Sequence, residues 1–440
     1  MMRHLSNIFR TPRLPFRARH TYHFHLLFAL LMAATDGILS NAVLMALKEL
    51  AAIDWHLTIP RIISGVGLIS TLWIGHWMTG RPKMPFVQYM GIILTACCFA
   101  MAVSTTAFIF LGFLGLAEAC SYMRLPALGA MIRSNYPATH RGLITGEIRK
   151  WCSIVFLIST LGTAVTLNYA GDNAHLLIRA LVSLAGIFSL VSLWVVRQIR
   201  VKESPTSQSP ALTTILSATS IHTAQVLFKD HRFRHYLIGF CFFIFCSLLC
   251  MSFVPAILMS ELHFGYLGTV LLLHVIPSVV SFLSTRSIGR WLDNNSPIRG
   301  WVFIRTGWGF DLFLLSIVSV FSGINLQIAL VLCMFARISR GIVMGGCSIL
   351  WTELAENYFA PLSATTQYMG IKTFFWGMIR ITAPIAGALL LSISSRATVF
   401  LVGGMGVLLS ALHAWTQVQY LESKNRFVTF AEFEAEIAQK

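Results

Sequence analysis

The run MPFVQYMGIILTACCFAMAV, residues 84–103, is followed after Ser104-Thr105-Thr106 by AFIFLGFLGLAEACSYMRLPALGAMI, residues 107–132. The first run contains no Asp, Glu, Lys or Arg, and the second contains only Glu118 and Arg124. An α-helix needs about 20 predominantly apolar residues to cross the hydrocarbon core of a bilayer. Two such runs separated by a three-residue turn therefore read as a pair of antiparallel membrane helices. Comparable runs recur near 22–44, 61–79, 146–167, 175–197, 236–258, 265–285, 300–321, 325–350, 366–391 and 397–418, giving twelve in all. The expected fold class is an all-α membrane protein, because a helix satisfies its backbone polar groups within its own span.

Composition agrees. Apolar residues make up 56% of the 440 and charged residues 11%, against roughly 45–50% and 25% in soluble domains. A net charge of +16 would suit nucleic acid if it were spread over a face, but the basic residues sit in particular loops between apolar runs. Counted by alternate loops, 25 Lys and Arg lie on the side of the N-terminus and 4 on the other, Lys48, Arg61, Arg179 and Arg396. The remaining four, Arg124, Arg337, Arg340 and Arg380, fall inside runs. Basic loops stay in the cytoplasm, so both termini are expected there, as an even number of spans also requires. The nine cysteines all lie in or beside apolar runs and form no CxxC pair, which suits small buried fillers and no metal.

The expected organisation is a basic N-terminal segment at 1–21, a six-helix bundle at 22–197, a linker at 198–235, a second bundle at 236–418 and a tail at 419–440. The N-terminal segment carries five arginines and no acid before an apolar run. It reads as the flank of an uncleaved first span, and it also fits an organellar presequence. The linker contains SPTSQSP and the basic FKDHRFRH, and the tail places Phe427, Phe430 and Phe433 at the spacing of a short amphipathic helix.

The halves repeat each other. After the second run comes Gly75-His-Trp77-Met-Thr79-Gly80-Arg81-Pro82-Lys83, and after the eighth comes Gly289-Arg290-Trp291-Leu-Asp293-Asn294. The Gly and Trp of the two copies are 214 residues apart, about half the chain. Internal repeats of this kind build many transporter folds. These segments resemble the loop signature of the major facilitator superfamily, Gly-x-x-x-Asp-Arg-x-Gly-Arg-Arg. Arg141-Gly142-x-x-x-Gly146 after the fourth run is similar to a turn found there in that family, and Arg337-x-x-Arg340-Gly341 to its Arg-x-x-x-Gly pattern. The resemblance implies two pseudo-symmetric six-helix bundles and alternating access. It also implies gating by Gly75, Arg81, Arg141, Gly142, Gly289, Arg290 and Asp293. The first copy departs from the signature, with Thr79 where the Asp belongs, so that gate is expected to be weaker or built differently. The fifth run lacks the Gly-Pro-x-x-Gly-Gly signature of drug–proton antiporters.

Ionisable side chains inside lipid are costly and usually face a cavity or a partner. Asp36 in the first run and Glu118 in the fourth are candidates for proton coupling, since desolvation favours a neutral carboxyl; the alternative is an ion pair with an intramembrane arginine. Tyr122 lies one turn beyond Glu118 on the same face, where it can share the hydrogen-bond network of that carboxyl, and is a further candidate for binding the solute. Arg337 and Arg340 in the tenth run, with Trp376 and Arg380 in the eleventh, are candidates for binding a carboxylate or phosphate, which guanidinium groups grip with paired donors. Lys372, Trp376 and Arg380 fall at i, i+4 and i+8 on one stripe. The alternative has the arginines paired internally and Lys372 snorkelling to the surface. Asp311 is expected to pair with a neighbour such as Arg305, and Arg124 to serve a gate or interface. His274 suits a packing donor. Phe240, Phe242, Phe243 and Phe245 are expected at lipid-facing and packing positions, and Gly341 and Gly345 in close helix contacts.

No phosphate-binding G-x-x-x-x-G-K-[ST] loop, H-E-x-x-H motif or soluble catalytic domain is present. The reading is therefore a secondary transporter, not an enzyme, needing no cofactor. Its expected partners are a small solute, a coupling ion (the proton) and the bilayer, with no nucleic acid and a monomer as default. The expected site is a membrane of the bacterial inner-membrane type. Two alternatives remain: a transporter of a neutral or amphiphilic solute, and a transporter-fold sensor or assembly protein.

Overall fold

The structure is a computed structural model that describes residues 16–78, 81–136, 141–199, 230–293, 295, 297–353 and 365–423. The linker segment 200–229 and the phenylalanines of the tail lie outside the described residues. Twelve helical stretches are long and apolar enough to cross a membrane. They are Arg19–Glu49, Asp54–Ile74, Met84–Val103, Ala107–Ile132, Ile144–Asn168, Gly171–Val196, Phe233–Glu261, Tyr266–Thr285, Ile298–Phe321, Leu326–Cys347, Tyr368–Ile393 and Arg396–Gln419, spans one to twelve below. Each apolar run read from the sequence coincides with one of them. The largest shift is in span two, which begins at Asp54 because a 3₁₀ turn, Asp54–Thr58, leads into the helix Ile59–Trp77. The chain is an all-α protein of twelve membrane-spanning helices.

Local chemistry sets where helices stop and restart. Span four opens with Thr106 as its cap, the side-chain oxygen accepting the Ile109 N–H at 3.4 Å, which satisfies one of the free donors of a first turn. Its helix Ala107–Met123 ends at Arg124 and a second, Leu125–Asn135, begins with Pro126 in its first turn. A proline cannot donate to the preceding turn, so the break falls where the backbone bond would be missing. Span one is likewise divided, Phe16–Leu39 and then Ala42–Glu49. At that break Asn41 is fully buried and its Nδ2 donates to the carbonyls of Gly37 and Thr160, both at 3.2 Å.

The chain divides into two compact units. One comprises Met1–Ala52 and Trp73–Leu216, the other Ile53–Leu72 and Ser217–Lys440. In the first unit span one packs on spans five and six, and span three on spans four and six. Hydrogen bonds tie these pairs where no water competes: Thr35 Oγ1 donates to the Ala185 carbonyl at 3.2 Å, and the hydroxyls of Thr95 and Ser189 lie 2.8 Å apart. Tyr22, Leu26, Tyr136, Ile144 and Ile148 form an apolar cluster at one end. Burial there pushes the Tyr136 phenol above its usual range, so it remains a neutral hydroxyl, 3.1 Å from His25 Nδ1.

In the second unit span nine packs on spans ten and twelve, span eight on span ten, and span seven on spans eleven and twelve. Asp230 caps span seven's helix, His231–Met251, by accepting the Phe233 N–H at 3.0 Å, and its other oxygen accepts the Tyr368 hydroxyl at 2.7 Å. The last described residue of the linker side is thereby fixed to span eleven. The expected phenylalanine surface splits: Phe240 and Phe243 are fully buried, Phe242 is exposed and Phe245 half-buried. Residues three apart share a helix face, which sends 240 and 243 to the core. Gly341 and Gly345 lie in close contact with span eight. A β-carbon on Gly341 would fall 2.6 Å from Val280 Cβ and 2.8 Å from the Pro277 carbonyl oxygen. Gly341→Val is therefore expected to destabilise by about 1–3 kcal/mol through overpacking, read as a lowered melting temperature of the purified protein. An unchanged melting temperature would show that the two spans separate freely there.

Candidate functional site

Each unit gathers its own ionisable groups. In the first, Asp36 lies near the end of the helix Phe16–Leu39 and is exposed, although its neighbours Thr35 and Gly37 are buried. Arg124 and Glu118 both act on it electrostatically. Arg124 is buried, with Nη2 donating to Ser121 Oγ at 3.2 Å, Nη1 3.4 Å from Met32 Sδ, and its guanidinium 6.0 Å from the Phe28 ring centroid. Met32 and Phe28 belong to span one, so this arginine of span four is held against the helix that carries Asp36. Glu118 and Tyr122, one turn apart on span four, are both half-buried. Asp36 thus has one permanent cation, Arg124, and one further carboxyl group, Glu118, acting on it. The sequence named Asp36 and Glu118 as separate candidates, and the structure gives them an electrostatic interaction with each other. Arg124 is a neighbour of Asp36 that the sequence reading, which gave it to a gate or interface, did not assign.

In the second unit Arg337 and Asp311 form an ion pair, the arginine 1% and the aspartate 0% exposed. This corrects the expectation that Asp311 pairs with Arg305. Six residues along one helix correspond to about 240° of rotation, so Arg305 and Asp311 leave span nine on different faces. Span ten supplies the partner because it packs on span nine, with Ser339 Oγ donating to the Gly307 carbonyl at 3.1 Å. Arg337 thus takes the internally paired arrangement.

Arg340 lies one turn on. Its guanidinium carbon is 3.3 Å from the centroid of the Trp308 ring, a stacked cation–π contact. Its Nη1 is buried and has no hydrogen-bond partner. Lys372 is buried as well, its Nζ 5.3 Å from the Phe240 ring, so it does not snorkel; span seven covers the position where the sequence alone suggested a membrane edge. Arg380 is buried and its Nε donates to Ser64 Oγ at 2.7 Å. Ser64 is in span two, whose residues 53–72 group with this unit. Gly65 and Gly377 allow that approach: a β-carbon on Gly65 would lie 2.9 Å from the Gly377 carbonyl oxygen. Trp376 is half-buried on the same helix as Lys372 and Arg380.

The sequence reading missed a further ion cluster. Arg396 donates from Nη2 to both carboxylate oxygens of Asp54, each at 3.0 Å, and from Nη1 to Glu261 Oε1 at 3.1 Å and Ser260 Oγ at 2.9 Å. All three charged residues stand at span ends, where nothing in the local pattern distinguishes them from ordinary loop charges. Of the gating candidates, Arg81 and Arg290 are exposed and Gly289 is half-buried. Gly75 and Gly142 fall in the helices Ile59–Trp77 and Arg141–Asn168. The side chains of Arg141 and Asp293, together with Thr79 and Gly80, lie outside the described residues. Among the described residues no group of three His, Cys, Asp or Glu is placed to hold a metal.

Residues 24–361 match the Major Facilitator Superfamily. The chain belongs to that superfamily. No curated protein sequence matches it significantly. Among solved structures it is similar to the nucleoside transporter NupG, with a TM-score of 0.64 at 12% identity over 91% of this chain and 99% of that one. A POT family transporter in complex with a thioalcohol-conjugated peptide gives 0.67 at 12%, covering 91% and 96%. The xylose transporter XylE from E. coli gives 0.63 at 12%, covering 91% and 98%. At such identities the likeness speaks for the fold. As a superfamily member the protein is an integral multi-pass membrane protein and a secondary transporter of a small solute by alternating access. It is not an enzyme.

The ion pair can be separated from any ligand role. Asp311→Asn leaves a buried guanidinium without its counter-ion and is expected to cost about 3–5 kcal/mol, whereas replacing both partners, Asp311→Leu with Arg337→Met, should recover most of it. Chemical denaturation of the single and double variants measures this. A double variant as unstable as the single one would show that the two side chains do not depend on each other.

Proposed function

We propose that this superfamily member couples proton movement to the transport of a small organic or phosphorylated anion. The observation that carries the reading is Arg340: a guanidinium fixed flat against Trp308 with a buried Nη1 that has no acceptor. A donor in that state costs free energy until a ligand accepts from it. Its setting adds to this. Arg305, Arg337, Lys372 and Arg380 are buried in the same unit, and Asp311 is the one buried carboxylate among the described residues. In this reading Arg340 and Arg380 grip the anion, with Trp376 as a further contact. Arg337 contributes by neutralising Asp311, which would otherwise compete for Arg340. The proton resides on Asp36 or Glu118 beside Arg124. The loops bearing Gly75, Arg81, Arg141, Gly142, Gly289, Arg290 and Asp293 serve as gates. The charge asymmetry of the loops supports cytoplasmic termini in a membrane of the bacterial inner-membrane type.

A second reading, transport of a neutral polar solute, is favoured by the pairing of Arg337 with Asp311 and of Arg380 with Ser64. The nucleoside and xylose named for the structural relatives are solutes of that kind. Thermal stabilisation of the purified protein against a panel of metabolites, with Arg340→Gln alongside, separates the two, since a ligand in excess of its Kd stabilises the state that binds it. Carboxylates or phosphates should raise the melting temperature of the wild type and not of the variant. Stabilisation by neutral compounds alone would assign the arginines to structure and transfer the conclusion to the second reading. For coupling, Asp36→Asn in proteoliposomes should lose accumulation driven by an imposed proton gradient while keeping solute exchange. Undiminished accumulation in both Asp36→Asn and Glu118→Gln would overturn proton coupling at this cluster.

A further inference from the structure

Span one ends in a turn that its surroundings hold in place. The short helix Ala42–Glu49 closes where Ala51 takes a φ of +50° and the Ala52 N–H donates back to the Ala46 carbonyl at 3.0 Å. A left-handed conformation is unfavourable for a residue with a β-carbon, so the local sequence does not choose this turn by itself.

Beside it the first unit contains a cavity of about 440 Å³. The end of span one, the turn at Ser104 and Thr105 between spans three and four, and the start of span six bound it. That volume lies within the range of small-molecule sites, roughly 300–1,000 Å³. Met101, Phe110 and Ile178, all buried, give the cavity an apolar wall. Its polar groups are of both kinds. Glu49 is half-buried and accepts hydrogen bonds; the Ser104 hydroxyl donates to the Ala100 carbonyl at 2.7 Å and so also presents lone pairs. From span six come Arg179, a permanent donor, and His175, one turn earlier on the same face. A simple anion would meet Glu49 here and a simple cation would meet Arg179, each a like-charge contact. A molecule carrying both charges avoids this.

We propose that this cavity binds a small zwitterion with an apolar body, an α-amino acid of the leucine or methionine kind. Arg179 takes the carboxylate, Glu49 the ammonium group, and the apolar wall the side chain. The loops at this end belong to the set poor in Lys and Arg, so the cavity opens on the face away from the cytoplasm. An occupant ties the end of span one to the start of span six. The site uses none of the residues assigned to the solute or the proton.

The test is thermal unfolding of the full-length purified protein with L-leucine, L-methionine, 4-methylpentanoate or 3-methylbutylamine, at neutral pH and equal ionic strength. The last two are leucine without its ammonium group and without its carboxylate. Either amino acid should raise the melting temperature of the wild type by at least about 2 °C, as a ligand bound to the folded state requires, and neither analogue should. Arg179→Gln and Glu49→Gln should each lose the shift, and Arg340→Gln, in the other unit, should keep it. Should Glu49→Gln fail to fold, Arg179→Gln decides, since that side chain is exposed. A wild type indifferent to both amino acids, or a shift kept in either cavity variant, would overturn the proposal. An equal shift from 4-methylpentanoate would make the cavity an anion site, and loss of the shift in Arg340→Gln would move the amino acid to the solute site; both outcomes overturn it as well.

Discussion

The interior of a bilayer contains no water to accept or donate a hydrogen bond, and the rest of this structure follows from that absence. The backbone answers with helices that satisfy themselves. Side chains must answer across helices, which is why Thr35 reaches the Ala185 carbonyl and Asn41 the Thr160 carbonyl. The same demand acts most strongly on charge. Arg337 and Asp311 meet because either alone would be an uncompensated ion in a low-dielectric medium, and they meet between spans nine and ten, which pack on each other.

Against that background the arrangement of ionisable groups is informative. In the first unit Arg124 and Glu118 both act on Asp36. The second buries several cations with Asp311, an excess of base. Neighbouring side chains hold three of these cations in place: Trp308 lies against Arg340, Asp311 pairs with Arg337, and Ser64 engages Arg380. Binding to a pre-ordered donor costs less entropy than binding to a mobile one.

Span two adds a mechanical element. Its helix Ile59–Trp77 is continuous, yet residues 53–72 group with the second unit and residues from Trp73 onward with the first. Within the second unit the segment is held by the close approach of Gly65 to Gly377, by Ser64 on Arg380, and by Asp54 in the cluster around Arg396.

Much of the fold was legible in one dimension because lipid imposes a length and a hydropathy on every span, and both are local properties of the chain. The run at 84–103 needs no partner to be recognised. The Gly75 and Gly289 segments, half a chain apart, carried the superfamily resemblance in the same local way. Charge was half-legible: the sequence marks Asp36, Glu118, Arg340 and Arg380 as ionisable groups out of place in lipid, but not what each one faces. Asp311 seemed to belong with Arg305, six residues away, and went to Arg337 because span ten covers its face. Lys372 seemed free to reach the surface and is covered by span seven. The interest of Arg124 and Arg396 exists only once Phe28 and Asp54 have been brought to them. Span number, fold class and the inventory of buried charge were thus determined by the sequence itself, since they depend on residue type and spacing. The pairing of those charges was decided by tertiary structure alone, because a counter-ion is chosen by which helix faces meet, and residues 26 or more positions apart leave no mark of that meeting in either one's neighbourhood.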